Sequence, residues 1–356
     1  MRPLRTSLTI SLALLATGLS TNAQGQVGNI GRDVIGATSI GDRERTVIQD
    51  AVDNRRDALL SGDWSRYRGA RDALLDTLTG RGVTVAYRQT LTEILLPVAE
   101  QIPQAGPSGE SWPRMAPLRI AGDLATTTSV DRVVLPALAA PEPEVRYFAL
   151  TVAGKVFQSM GASPAVAAPT ARRLVEAAGL QLASAEDPLI AGAAAQALEV
   201  ATRVSPDLVP GVATLAMGEL GNGAASRIER HAGTFAAGEF EAVVRTAGIL
   251  RNIMANRAAP VGLEQAVAAT RLAAHLAALS IGVARADRDT AVTLATSAEL
   301  LMGFATARAN QQQTLQIAQS IRDGEFNDAR IAVEQLVGAG GTLTREPFEL
   351  DAIDLP

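Results

Sequence analysis

Two histidines, His231 and His275, and no cysteine make up the imidazole and thiol supply of this 356-residue chain. Without cysteine there is no thiolate nucleophile, disulfide, cysteine zinc site, iron–sulfur cluster or lipoprotein anchor. The histidines lie 44 positions apart, so neither H-E-x-x-H nor H-x-x-x-H occurs, and no helical pair of imidazoles can share a metal. Phe157-Gln158-Ser159-Met160-Gly161 lacks the first glycine of a nucleophile elbow. Lys155 is the single lysine. Val152 stands where a Ser-x-x-Lys serine would be, and Gly154-Lys155 runs into Val156 instead of the hydroxyl residue of a phosphate loop. Gly28, Gly31 and Gly36 lack dinucleotide-binding spacing. Asp287-Arg288-Asp289 opens like a calcium loop but has neither its glycine nor its closing glutamate. No catalytic, cofactor-binding or metal-ligating residue is assigned, and no cofactor is expected.

What remains is carboxylate and guanidinium chemistry. There are 37 acidic residues and, with Lys155 the one lysine among 32 basic residues, 31 arginines. An enzyme built from these would need two carboxylates a few Å apart across a groove, as in glycoside hydrolysis. His231 stands near the expected end of a helix before Gly233, where the helix dipole favours an imidazole, so a structural role is expected. His275 follows Arg271 by one turn and is expected to be solvated or hydrogen-bonded. Trp64 and Trp112 are expected to be packing anchors.

The elements that must position these groups are helices. The 66 alanines, with aromatic residues at 3%, favour an all-α protein of closely packed helices. Residues 1–23 read as a secretory signal peptide: Arg2 and Arg5, an apolar run from Leu8 to Leu19, and Thr21-Asn22-Ala23 at the cleavage position. The expected location is therefore the periplasm or the exterior. Removing these residues takes the formal charge from −5 to −7, because two arginines and no acids leave. A net acidic chain gives no support for nucleic-acid binding. Seven arginines between Arg43 and Arg71 are matched by seven acids between Asp42 and Asp72, the pattern of a solvated mixed-charge helical surface. No span is expected after residue 23, since the most apolar stretch, Ala266–Ala284, is interrupted by Arg271 and His275.

Gly-rich residues 24–41 read as a flexible linker, 42–340 as the helical domain with a possible sub-boundary at the loop 103–113, and 341–356 as an acidic tail. The tail's Phe348, Leu350, Ile353 and Leu355 show no helical face, which leaves three readings open: docked on the array, disordered, or partner-binding. Within the domain, 42–61 and 63–79 form a hairpin broken at Gly62, followed by a helix over 83–102 containing Pro97 and another over 114–127. Ser163-Pro164, Asp187-Pro188 and Ser205-Pro206 each place a capping side chain before a proline suited to the first helical position, predicting helix starts. Later helices are expected at 239–256, 262–286, 288–308, 311–322 and 325–337. In 262–285 a stripe through Glu264, Arg271, His275 and Arg285 reads as a thin wet edge between two apolar flanks, and Glu241, Arg245, Gly248 and Asn252 form a second one. Helices buried on two flanks are what stacked helical repeats require.

Val133–Val156, VVLPALAAPEPEVRYFALTVAGKV, resembles a HEAT repeat. Leu135, Pro136 and Leu138 match its first helix with the bending proline, Glu142-Pro143 its turn, and Val145, Arg146 and Ala149 the start of its second helix. A degenerate unit begins 45 positions later at Asp187-Pro188-Leu189-Ile190, with Ala191 in place of the arginine and Ala194 matching Ala149. The resemblance covers about a quarter of the chain. It implies a helical-hairpin repeat array, an α-α superhelix, in which Arg146 would reach the acidic turn residue of a neighbouring unit. The expected function is that of an exported, non-enzymatic scaffold binding another protein or peptide. A carboxylate-based hydrolase or small-molecule binder of the cell envelope, and a self-assembling envelope component, are the alternatives. Partner and oligomeric state are left open by the sequence.

Overall fold

The computed structural model describes residues 30–102, 112–161, 165–231, 237–256, 258–311 and 315–355. The signal-peptide reading, most of the 103–113 loop and the Ser163-Pro164 helix start lie outside these residues. All regular elements among them are helical: α1 (Arg32–Ile35), α2 (Asp42–Leu59), α3 (Trp64–Leu75), α4 (Val85–Ala99), α5 (Trp112–Leu124), α6 (Thr127–Ser129), α7 (Leu135–Leu138), α8 (Pro143–Met160), α9 (Ala168–Ser184), α10 (Pro188–Ala201), α11 (Val212–His231), α12 (Ala237–Ala255), α13 (Leu263–Val283), α14 (Arg288–Arg308), α15 (Ile317–Asp323) and α16 (Phe326–Val337).

Their neighbours define two layers. One runs α3, α5, α8, α10, α12, α14; the other runs α2, α4, the 127–138 segment, α9, α11, α13, α16. Each hairpin contributes one helix to each layer and packs on the next hairpin along the chain, which is an all-α helical-repeat array. Polar ties follow the same step: Arg173 on Asp131 and Arg271 on Glu229 each span 42 positions. The apolar core has two parts sharing α5. Ala116, Ile120 and Leu124 belong to the first, and Leu118 and Ala121 to the second.

The resembled unit is a hairpin of 127–138 and α8. Between α6 and α7 the backbone makes a π-type turn at Val130–Val134, where the Leu135 N–H reaches back five residues to Val130 O. This lies immediately before Pro136, which has no N–H to give. Arg146 does not reach a neighbouring turn. Its Nη1 donates to the carbonyls of Ala140 and Pro141 in its own turn, at 2.9 and 3.1 Å. Those carbonyls follow the end of α7, where backbone acceptors have no partner within the helix.

Other arginines do the same for other helix ends. Arg88 Nη1 donates to Asp123 O and Leu124 O at the end of α5. Arg308 donates to Met254 O and Asn256 O at the end of α12. Arg288 Nε donates to Ile321 O in α15. Arg227 is fully buried. It donates to Ala185 O, beyond α9, and pairs in fork geometry with both oxygens of buried Glu239 in α12, at 2.6 and 2.7 Å. One guanidinium thus joins α9, α11 and α12.

Several boundary expectations change. Ser205-Pro206 starts a turn, not a helix: Ser205 O accepts from Leu208 and Val209 N–H, and α11 begins only at Val212. Pro210 disfavours helical backbone at Val209 and offers no N–H, so the turn cannot propagate. Asp187 does cap α10, accepting from Leu189 N–H, with Pro188 in the first turn. Part of the expected linker is structured. Ile30 and Val34 are buried in the first core, and Ile35 O accepts from Thr84 N–H. The helix expected at 311–322 is the shorter α15.

Close approach depends on small residues. A Cβ on Gly221 would lie 2.6 Å from the backbone C and O of Ala268, so α11 and α13 touch backbone to backbone there. α13 is the central helix, packed on α14, α11 and α16, with residues 272–280 all buried. α13 and α14 are also long and apolar enough to cross a membrane by length and composition; in this fold most of the apolar stretch of α13 is buried against other helices, while α14 leaves Leu300 and Phe304 exposed.

Gly221→Ala is expected to destabilise the fold by about 1–3 kcal/mol, because neither helix backbone can yield locally. Gly192→Ala, in α10 with nothing within 4 Å of the new methyl, is expected to stabilise by roughly 0.5–1 kcal/mol. Denaturant unfolding of the two variants beside the native chain measures both signs.

Removing the buried guanidinium makes a sharper case. Arg227→Met should cost about 3–5 kcal/mol, since Glu239 would be left as a buried charge without its partner. The double variant Arg227→Met/Glu239→Leu should recover much of that loss. A double variant no more stable than the single one would show that the helix-end carbonyl, not the carboxylate, dominates.

Candidate functional site: the cavity under the C-terminal segment

The last helix stops at Gly338, and the chain turns back through Gly340, whose φ of +76° suits a residue without Cβ. Beyond it, Leu343 and Phe348 are buried in the second core. Leu350 N–H donates to Leu343 O, and Ile353 N–H to Val337 O, both at 2.9 Å. Leu350, Ile353 and Leu355 pack against the core from above. Of the three sequence readings for this tail, docking is the one found.

The docked segment does not close flush. Between it and the α11–α13 surface lies a cavity of about 870 Å³. Ile228, Val267, Ala278 and Leu279 form its apolar wall, Asn222, Glu229, Arg271 and His275 its polar wall, and residues 348–355 its cover. The size is in the range of small-molecule sites.

The polar wall is an ordered cluster. Glu229 Oε1 accepts from Arg271 Nη2 at 2.7 Å and from His275 Nε2 at 2.9 Å. His275 and Arg271 sit one turn apart on α13; Glu229 comes from the preceding hairpin. His275 is 9% exposed. Burial holds its pKa below the ordinary 6.5; the Glu229 carboxylate opposes that shift and the Arg271 charge adds to it. The imidazole is thus kept neutral, donating through Nε2. The expected wet edge on α13 is therefore corrected. Only Glu264, Gly282 and Arg285 of that stripe are exposed. Ala268 abuts Gly221, and His275 and Ala278 are covered by the C-terminal segment. The stripe on α12 is open as expected, with Glu241, Arg245 and Asn252 exposed.

The other singled-out residues have structural places. His231 is the last residue of α11. Ser159 Oγ donates to Val156 O inside α8. Asp287 caps α14, accepting from Thr290 N–H and Oγ1, and these bonds lower its pKa. Trp64, Tyr67 and Trp112 form an aromatic cluster with centroids 4.9–5.7 Å apart, and Arg119 lies between Trp64 and Phe148. Lys155 pairs with Asp123 in a smaller cleft of about 340 Å³ that also holds Arg71, Asp72 and Asp76. No group of three or more metal-ligating side chains occurs among the described residues.

Sequence reasoning found His275 and Arg271 but not Glu229, their shared acceptor. The 42-position step between Glu229 and Arg271 was the available signal, and it is visible only once the repeat length is known.

No family model matches the chain, and no curated protein matches it either.

The depressed pKa of His275 has a defined consequence for stability. Above about 6.5 the imidazole is neutral in both folded and unfolded chains. Below it the unfolded state takes up a proton first, so stability is lost as pH falls. The groups facing His275 are Glu229 from α11, Arg271 on α13, and Glu349, Asp351 and Asp354 in the C-terminal segment. Between pH 7.5 and 5.5 the melting temperature of the native chain should fall more than that of His275→Gln, which keeps an N–H donor for Glu229. Equal slopes would show that other groups carry the pH dependence.

Proposed function

We propose that this is an exported, non-enzymatic helical-repeat scaffold that binds an extended segment of another protein across the α11–α13 surface. The observation that carries this reading is the C-terminal segment itself. It folds back through a short 3-10 turn and a second turn ending at Phe348, then runs without helix or turn from Glu349 to Leu355, with Phe348, Ile353 and Leu355 as apolar anchors and few main-chain hydrogen bonds to the rest of the chain. A surface that accepts this pattern of apolar anchors between acids has the character of a groove for a similar segment in trans. The two-layer array supports the reading, since stacked hairpins present long continuous surfaces. Export rests on the pattern of residues 1–23.

A carboxylate-based hydrolase has weaker support. It needs one carboxyl group kept protonated beside a second, ionised one. The acids whose pKa is raised are Glu219, by burial and by nearby Glu176, and Glu299, by burial. Neither lines the cavity.

The reading is tested with the full chain and a labelled peptide of residues 342–356. Phe348→Ala/Ile353→Ala loosens the internal segment and leaves the seat on α11 and α13 intact. The peptide should bind this variant at least tenfold more tightly than it binds the native chain, as measured by fluorescence anisotropy. Binding to neither chain, or equal binding to both, would count against a groove that recognises such segments.

A further inference from the structure

We propose that the cavity between the C-terminal segment and α11–α13 is a binding site for a small molecule with an apolar body and a positively charged amino group. This goes beyond the scaffold reading and does not depend on it, because the site exists with the segment docked.

Shape and lining set the body of the ligand. About 870 Å³ is ample for a compact organic molecule, and Ile228, Val267, Leu279 and Phe348 offer it aliphatic and aromatic surface. Water in such a space is displaced favourably by an apolar group of matching size.

Charge sets the head. Within the cavity wall, Arg271 is already neutralised by Glu229, and His275 is neutral and spends its Nε2 proton on the same carboxylate. The remaining charges are Glu349, Asp351 and Asp354 in the covering segment, which form no ion pair among the described residues. Among the described residues Glu229 Oε2 has no hydrogen bond. A cation entering here meets unpaired carboxylates and the Glu229 acceptor beside Arg271. A carboxylate entering here meets three charges of its own sign. The geometry therefore discriminates by the sign of the head group while the apolar wall binds the body.

The cover joins the array through the turn at Gly338–Gly341. A ligand held between cover and wall contacts both, so it should favour the docked segment over the released one. Occupation by a small amine and by a peptide in trans would then exclude each other.

The test uses the intact chain and three matched probes, octylamine, 1-octanol and octanoate, followed by isothermal titration calorimetry at low salt. Octylamine should bind with one-to-one saturation, at least tenfold more tightly than octanol, and octanoate more weakly than both. Asp351→Asn/Asp354→Asn, at exposed positions, should bring octylamine to within about threefold of octanol. Ala278→Trp, which fills the space, should abolish binding of all three. If that variant does not fold, the asparagine pair alone decides the role of charge. Octanoate binding as tightly as octylamine, or no saturable binding by any probe, would overturn the proposal. Peptide binding in the experiment above is a separate readout, so the scaffold reading can fail while the amine site stands, and the reverse.

Discussion

Every helix ends with carbonyls that its own backbone cannot satisfy, and an array of many short helices multiplies that requirement. In this protein guanidinium groups meet it repeatedly. Arg88, Arg146, Arg227, Arg288 and Arg308 each donate to carbonyls at or just beyond the end of a helix, three of them bridging two carbonyls at once without a carboxylate. A planar fork with five donors fits two adjacent acceptors and stays charged when buried; a lysine ammonium does neither as well. This gives a physical account of those five among the 31 arginines; Arg146 closes its own turn, and the other four tie separate helices.

The same economy of space governs the layers. Alanine at many buried helix positions and glycine at Gly221 let α11 and α13 meet along their backbones. Such contact leaves little room for side-chain rearrangement, and interiors of this density transmit small displacements. It also fixes where the polar wall of the cavity stands. Glu229 on α11 reaches Arg271 and His275 on α13 only because the two helices are held this close.

Much of the architecture was legible in the sequence, because alanine content, helical period and the Asp187-Pro188 start act locally. The hairpin around Pro136 and Glu142-Pro143 was legible for the same reason. What failed depended on tertiary partners. Ser205-Pro206 looked like a helix start until Pro210 was taken into account. The α13 stripe looked wet because the segment that covers it comes from beyond Gly341, about 70 positions away. Arg146 found its acceptors in its own turn rather than in a neighbour. Arg227 gave no signal: Ala185 lies one 42-position step back but offers only a backbone carbonyl, which no side-chain pattern marks, and Glu239 stands 12 positions on, in α12. The site was half visible: its two residues on one helix were readable, and its cover and shared acceptor were not.

The order of the chain adds a consequence. Emerging N-terminus first, the molecule completes the α11–α13 surface at Leu279, well before Phe348 exists to cover it. At synthesis rates of roughly 5–20 residues per second, those intervening residues take on the order of several seconds. Throughout that interval α14, α15 and α16 are added in turn while the seat has no cover of its own. On the proposed reading, a segment in trans that arrives in that interval meets no internal competitor, so timing and not affinity alone would decide the first occupant.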